Sequence, residues 1–364
     1  MKISLILPHI YFLPEISQKS IFAPGKLFEA LAKELTLKGH DITVFSSSEI
    51  EGVKCHIGNI DILRNKQKKF CMNALILQQK HPIIFKNAYV EFQKDLLKQV
   101  EVQSKLERPD IIHIFSIDNS ILITASFGHI PVVYTNHDPY DFNIKLKKSF
   151  LLNKHKNYIS ISNSQRSKLP SLNYVSTVYN GINLNEFEFN NYPLDYFAYI
   201  GRIIYPKGAH RAIEAARRSS VKLKIAGQYY SGFGDDYFSK KVEPLLDRNI
   251  TYEGFINNAL DKSNFLRNAK GLLFPIDWDE PFGMVMIEAL VCGTPVIAFD
   301  RGAVREIIKD GVNGFIVNTK SEMVEAIKNI NTIDRNTCRE SAMKFEIEKM
   351  TLGYIDSYKT LIAK

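Results

Sequence analysis

Short apolar runs alternate along this chain with stretches whose apolar positions recur three and four residues apart, and the alternation occurs twice. The first round opens with Ile3–Leu7, a run that reads as a buried strand. From about Pro24 to Lys38 the pattern is helical, with Leu27, Ala30, Leu31 and Leu35 on one face. Gly39 and His40 end it, and Ile42–Phe45 is the next strand. Strand, helix, strand in that order implies a parallel sheet. Further strands are expected at Ile111–Phe115, Val132–Thr135 and Tyr158–Ser162. A last short strand leads into the turn-rich Asn180-Gly181-Ile182-Asn183, which marks a joint between domains.

After the joint the same grammar restarts. Strands are expected at Tyr196–Ile200, Val221–Ala226, Thr251–Gly254, Gly271–Pro275 and Pro295–Phe299, with helices at Gly208–Arg218, Ala259–Asn268 and after Pro281. Arg339 to Ile362 is again helical in pattern. The fold class is therefore α/β, with two doubly wound, Rossmann-like domains whose parallel sheets face a central cleft. In such sheets ligands bind at the carboxyl ends of the strands. No internal repeat of 20 to 50 residues is apparent.

Composition narrows the class. At 364 residues and 45% hydrophobic the chain can bury large cores without disulfides or a structural metal. No apolar run is long enough for a transmembrane helix, and the opening residues have too short an apolar core for a secretory signal. Cys55, Cys71, Cys292 and Cys338 are widely spaced, which fits free thiols in a reducing cytosol rather than a zinc site.

Charge is uneven. Residues 1–183 hold 23 Lys and Arg against 15 Asp and Glu, whereas residues 184–364 hold 24 of each, so the net +8 lies in the first half. That half either carries a generic basic surface or meets an anionic partner such as a membrane. The densest run, Arg64 to Lys69, precedes the apolar stretch Phe70 to Ile84, which reads as a solvated turn before a core helix or as a membrane-surface element. No nucleic-acid motif accompanies the excess, so nucleic acid is not an expected partner.

The segment Asp277 to Leu290 carries the most chemistry. Pro281 suits the first position of a helix, which leaves the amides of Phe282, Gly283 and Met284 without intrahelical partners. With the helix dipole they suit a phosphate. Glu280 beside them can bond sugar hydroxyls. Glu288 is the only charge between Gly283 and Gly293, on a helix apolar nearly all round. A buried carboxylate needs donors; ribose hydroxyls would serve, as would a structural partner in a neighbouring loop. Arg202, directly after a strand, and Lys207, opening the next helix, suit a diphosphate and could offset the charge on a departing one without a metal. They equally suit a solvated surface pair. His137, in Tyr134-Thr135-Asn136-His137-Asp138, is either structural or faces the cleft from the first domain.

Together these residues resemble the family 4 retaining glycosyltransferases of the GT-B fold, the glycosyl transferases of group 1. The two-glutamate signature appears as Glu280 and Glu288, followed by Cys292-Gly293-Thr294-Pro295 and Arg301-Gly302-Ala303. The Gly-Arg…Lys-Gly element is Gly201-Arg202…Lys207-Gly208, and the Asn-Gly-hydrophobe-Asp joint is Asn180 to Asn183, ending in Asn. The resemblance implies an acceptor-binding domain at 1–183, a nucleotide-sugar domain at 184–345, and a helix at 346–364 crossing back to the first domain.

It also implies roles. Arg202 and Lys207 hold the diphosphate, Glu280 the transferred sugar near the amides of Phe282, Gly283 and Met284, and Glu288 the ribose. His137 contacts the sugar near the reacting carbon. The base lies between the loop after Ala226-Gly227-Gln228 and the stretch ending at Phe255. The displacement is front-face, the leaving phosphate taking the acceptor's proton, and Glu280 is not a nucleophile. Two departures stand out: the usual paired glycines after the first strand are replaced by Phe22-Ala23-Pro24-Gly25, leaving Gly25 alone in the loop that meets phosphate or acceptor, and Pro206 replaces an acidic residue. Asp277-Trp278-Asp279 looks like the metal-binding DxD of another glycosyltransferase fold but abuts the two-glutamate element, so neither metal nor cofactor is expected. The expected activity is a cytoplasmic hexosyltransferase, at the inner face of a membrane if its basic half binds one, using a UDP-sugar or a GDP-sugar and an unidentified glycan, lipid or small-molecule acceptor. The alternatives are a nucleotide-sugar 2-epimerase of the same fold and a degenerate nucleotide-sugar-binding protein.

Overall fold

The computed structural model describes residues 1–229 and 236–363. The chain divides into two units, one of residues 1–179 and 347–364, the other of residues 180–346.

The first unit is built on seven parallel strands: β1 (Lys2–Ile6), β2 (Asp41–Ser46), β3 (Lys54–Ile57), β4 (Ile111–Phe115), β5 (Val132–Thr135), β6 (Asn157–Ser160) and β7 (Tyr174–Thr177), in the order β3-β2-β1-β4-β5-β6-β7. Ile3, Leu5, Ile6, Ile111, Ile112 and Ile114 are wholly buried, as expected of parallel strands covered on both faces. Helix Ala23–Leu37 turns Leu27, Leu31 and Leu35 inward as expected, joined by Phe28 and Ala32, while Ala30 is only half-buried.

The terminal helix, Ile347–Ile362, belongs to this unit. Its Tyr358 hydroxyl lies 2.7 Å from Nδ1 of His113 on β4, and His113 Nε2 lies 2.8 Å from Thr135 Oγ1 on β5. Ser357 Oγ meets Ser176 Oγ on β7 at 2.7 Å.

The second unit has six parallel strands: β8 (Phe197–Ile200), β9 (Leu223–Ala226), β10 (Ile250–Tyr252), β11 (Leu272–Phe274), β12 (Val296–Phe299) and β13 (Gly314–Val317), in the order β10-β9-β8-β11-β12-β13. In both sheets the order reverses beside the first strand, between β1 and β4 and between β8 and β11. That reversal is where loops diverge and open a crevice.

Several local expectations change. The basic run Arg64 to Lys69 is not a turn; it lies within helix Asp61–Phe70. The apolar stretch after it is not one helix but helix Ala74–Lys80 and the start of a 26-residue helix, Pro82–Glu107. Asn73 ends the first break by accepting a bond from the Ile76 amide. The C-terminal pattern splits at Met343–Phe345 and Glu346 into helices Arg335–Ala342 and Ile347–Ile362. Asn183, standing where the family has Asp, caps the short turn Leu184–Glu186 through its side-chain oxygen, 3.1 Å from the Asn185 amide.

Candidate functional site

The reversal between β8 and β11 gathers the residues singled out in the second half. Arg202 and Lys207 lie in the loop leaving β8, and Trp278 and Glu280 in the loop leaving β11. Two close approaches hold these loops. Gly208, at φ +77°, faces the Pro275 carbonyl so closely that a Cβ would sit 2.2 Å from its oxygen, and the Asp277 amide donates to the Pro206 carbonyl at 2.8 Å. A side chain at 208 would force the loops apart.

Glu280 is the hub. Its Oε2 accepts from Lys207 Nζ at 2.5 Å and from Trp278 Nε1 at 2.8 Å. The Lys207 ammonium sits 4.8 Å from the Trp278 ring centre and the Arg202 guanidinium 5.7 Å, within the range of cation–π attraction. Burial pulls the Lys207 pKa below its ordinary value, against the opposing pull of Glu280. Gly302 backs the hub: a Cβ there would fall 2.2 Å from the Glu280 carbonyl oxygen, while the Glu280 carbonyl accepts from the Ala303 amide at 2.9 Å.

The helix after Glu280 starts later than the sequence suggests. It runs Met284–Val291, with Gly283 as N-cap at φ +94°. Pro281 is therefore not its first residue, and the Phe282 and Gly283 amides belong to the preceding loop. A left-handed glycine between them and Met284 breaks the helical path. The first-turn amides are those of Met284 and its successors. The Phe282 side chain is buried, edge-on to Phe345 at 5.7 Å.

Glu288 is buried as expected, but it is not short of a donor. Lys262, on helix Ala259–Arg267, reaches Glu288 Oε1 at 2.7 Å. Lys262 carries no motif that marks it in the sequence. Trp278 was equally unmarked except as the middle of Asp277-Trp278-Asp279. The flanking carboxylates have protein partners: Asp277 pairs with Arg211 at 2.5 Å, and Asp279 accepts from the Gly302 amide at 3.2 Å.

The remaining expected residues have clear surroundings. Gly227, at φ +151°, is required by the Gly201 carbonyl, 1.7 Å from where its Cβ would be. Phe255 is half-buried after Gly254, and residues 230–235, later in the chain than Gly227, lie outside the described residues. In the first unit, Gly25 does not stand in a loop: it is in the first turn of helix Ala23–Leu37, and the rings of Phe22 and Phe12 lie 2.9 and 3.0 Å from where a Cβ would be. His137 follows β5, its ring 4.4 Å from that of Phe115, and its Nε2 has no partner among the described residues. Burial pushes its pKa down to about 3, so the ring is neutral at ordinary pH.

Comparison with known proteins puts this geometry in a family. The family model "Glycosyltransferase Family 4" matches residues 25–186 and "Glycosyl transferases group 1" matches residues 185–346. An uncharacterized glycosyltransferase of Methanocaldococcus jannaschii is 28% identical over 201 residues, 52% of this chain and 54% of its own length. A second from the same organism is 32% identical over 188 residues, 45% of this chain and 47% of its own length. The match thus spans about half the length of both. A 42.6 kDa protein from a Klebsiella pneumoniae cps region is 23% identical, covering 91% of this chain and 94% of its own.

Two solved structures share the fold over nearly whole chains. The Anabaena HepE protein in complex with UDP and glucose has a TM-score of 0.71 at 15% identity, covering 99% of this chain and 100% of its own. Sucrose-phosphate synthase from Thermosynechococcus elongatus has a TM-score of 0.76 at 17% identity, covering 100% and 99%. Both family models meet at the joint after Asn183 and both sheets have the doubly wound order, so this chain belongs to the family 4, group 1 glycosyltransferases of the GT-B fold.

Proposed function

We propose that the protein transfers a hexose from a nucleoside-diphosphate sugar to a hydroxyl acceptor, retaining the anomeric configuration and using no metal. The observation that carries this is the convergence of Lys207, Arg202 and Trp278 on Glu280 at the sheet's reversal point. A diphosphate there competes for Lys207 and Arg202. When Lys207 turns to the phosphates, Glu280 is left with the Trp278 donor and a free lone pair for a sugar hydroxyl. Two fixed cations stabilise the charge of the departing diphosphate, and that phosphate takes the acceptor's proton on the same face. Glu288, paired with Lys262, accepts from the ribose. The His137 ring, its pKa pushed down to about 3 by burial, offers hydrogen bonding rather than charge. UDP is favoured because HepE, of the same fold, was solved with UDP and with UDP-glucose.

The test is nucleoside diphosphate release from UDP-, GDP- and ADP-sugars in EDTA, with and without a lipid-and-glycan extract of the source cells. Release from one donor that rises with extract supports the proposal. Release that needs a divalent metal, or nucleotide-sugar epimerisation without acceptor, overturns it.

We propose too that the first unit rests on an anionic membrane surface. No helix of the described residues is long and apolar enough to cross a membrane. Helix Ile144–Leu152 instead exposes Ile144, Leu151 and Leu152 beside Lys145 and Lys148, a combination suited to the interface. Co-sedimentation with liposomes that does not depend on anionic lipid would remove this idea.

A further inference from the structure

The first sheet has its own reversal point, between β1 and β4, and a second polar cluster sits there. His9 follows β1 and Asp118 follows β4. Tyr89, from helix Pro82–Glu107, joins them: its hydroxyl lies 2.5 Å from Asp118 Oδ2 and 2.8 Å from His9 Nδ1. Gln93, one turn on and wholly buried, donates to Asp118 Oδ1 at 2.9 Å and to the Pro8 carbonyl at 3.1 Å. His9 Nδ1 is 3.5 Å from Asp118 Oδ2.

The tautomer of His9 follows from counting protons. A tyrosine hydroxyl has one proton, and a carboxylate has none to offer. Burial and the Asp118 charge hold the Tyr89 hydroxyl well above its ordinary pKa, so it stays protonated. Its proton goes to Asp118, and its oxygen must then accept from His9 Nδ1–H. With the proton assigned to Nδ1, the other ring nitrogen, Nε2, presents its lone pair. Every other polar atom of this chain of bonds has a partner; His9 is 4% exposed, and its Nε2 has none among the described residues. An unmet buried acceptor is destabilising, and it stands where doubly wound sheets take their ligands.

We propose that His9 Nε2 is the hydrogen-bond acceptor for a hydroxyl of the sugar or polyol acceptor, with Tyr89 and Asp118 as positioning residues that fix the ring's tautomer. The inference rests on the glycosyltransferase reading above and names the partner of its acceptor half. The ligand class follows from the atom: an imidazole lone pair beside the Asp118 carboxylate suits an O–H donor rather than a phosphate or carboxylate. Phe22 packs on the imidazole, 5.0 Å between ring centres, and no hydrogen bond ties its ring, unlike that of Tyr89. The Phe22–Gly25 departure from the family pattern thus begins at a ring packed on His9.

Two conservative variants separate this role from a structural one. His9→Asn keeps a donor near the Nδ1 position for Tyr89 but has nothing at Nε2. His9→Gln places an amide at the Nε2 position but loses the bond to Tyr89. The measurement is extract-stimulated nucleoside diphosphate release from the donor that the wild-type chain turns over, with donor binding followed separately by tryptophan fluorescence. The expected result is about a tenfold loss of kcat/KM toward extract in His9→Asn, partial recovery in His9→Gln, and unchanged donor binding in both. Activity kept in His9→Asn and lost in His9→Gln, equal loss in both, or no loss in either overturns the proposal. A wild-type chain that neither binds nor turns over any nucleotide sugar overturns the parent reading and this one with it, a failure visible before any variant is made.

Discussion

Lys207 and Glu280, 73 residues apart in the chain, share a 2.5 Å ion pair at the point where the second sheet reverses its strand order. Both side chains are largely buried, so each is the other's main electrostatic partner while no donor is bound. Glu280→Gln keeps the shape and removes the charge, and Lys207→Ala removes the cation. We expect turnover to fall about a hundredfold or more in each, with nucleotide affinity weakened chiefly in Lys207→Ala. Steady-state kinetics with equilibrium UDP binding checks this. Glu280→Gln with wild-type turnover would falsify the site assignment.

Trp278 is the only tryptophan in the chain. Its indole N–H is engaged by Glu280, and two cations lie over its ring. A diphosphate that draws Lys207 and Arg202 away removes both cations from the ring while its N–H stays on Glu280. Intrinsic fluorescence therefore reports donor binding, and we expect UDP titration to give a saturable change that Arg202→Ala shifts to higher concentration. Saturable UDP binding by calorimetry with flat fluorescence is the outcome that contradicts this.

Lys262 holds Glu288 in a nearly buried pair. Lys262→Met strands the carboxylate, and we expect a stability loss of about 2 kcal/mol together with a higher donor KM. The double variant Lys262→Met, Glu288→Leu has no orphaned charge and recovers stability but not donor affinity. Urea unfolding alongside donor kinetics separates the two effects; recovery of both in the double variant would make the pair purely structural.

His113 sets an acid limit on the first unit. Burial holds its pKa at about 3, against about 6.5 in an unfolded chain. As pH falls below the unfolded value, the unfolded chain takes up a proton that the folded one refuses. Stability is therefore fully present above about pH 6.5 and is lost as pH falls toward 3, by up to about 1.4 kcal/mol per pH unit. His137 shifts in the same direction and adds to it. Urea unfolding followed by circular dichroism between neutral pH and pH 4.5 should show this slope, reduced in His113→Gln. An unchanged slope in that variant would mean the acid sensitivity arises elsewhere.

The apolar rhythm of the chain was enough to specify two doubly wound sheets. Strands Ile111–Phe115 and Val132–Thr135 are found at the residues expected, because buried parallel strands are continuous apolar runs between turns. Lys54–Ile57 and Gly314–Val317, each at one rim of its sheet, have no counterpart among the expected elements, whereas the strands at the opposite rims, Tyr174–Thr177 and Ile250–Tyr252, were expected. Glu288 was legible as a charge out of place on an apolar helix, and Arg202, Lys207 and Glu280 through their spacing at strand and helix ends and the resemblance to the family.

What each of those charges meets was settled only by the tertiary structure. Lys207 rests on Glu280, Lys262 on Glu288, and Tyr89 bridges His9 to Asp118. The start of the helix at Met284 was decided the same way, by Gly283 at φ +94°, where a Cβ would fall 2.5 Å from Met286 Cε. Periodicity records how one residue relates to neighbours three or four places away. Partners 26 to 80 residues apart are chosen by how helices and loops pack around the sheet reversals, and no local pattern carries that information.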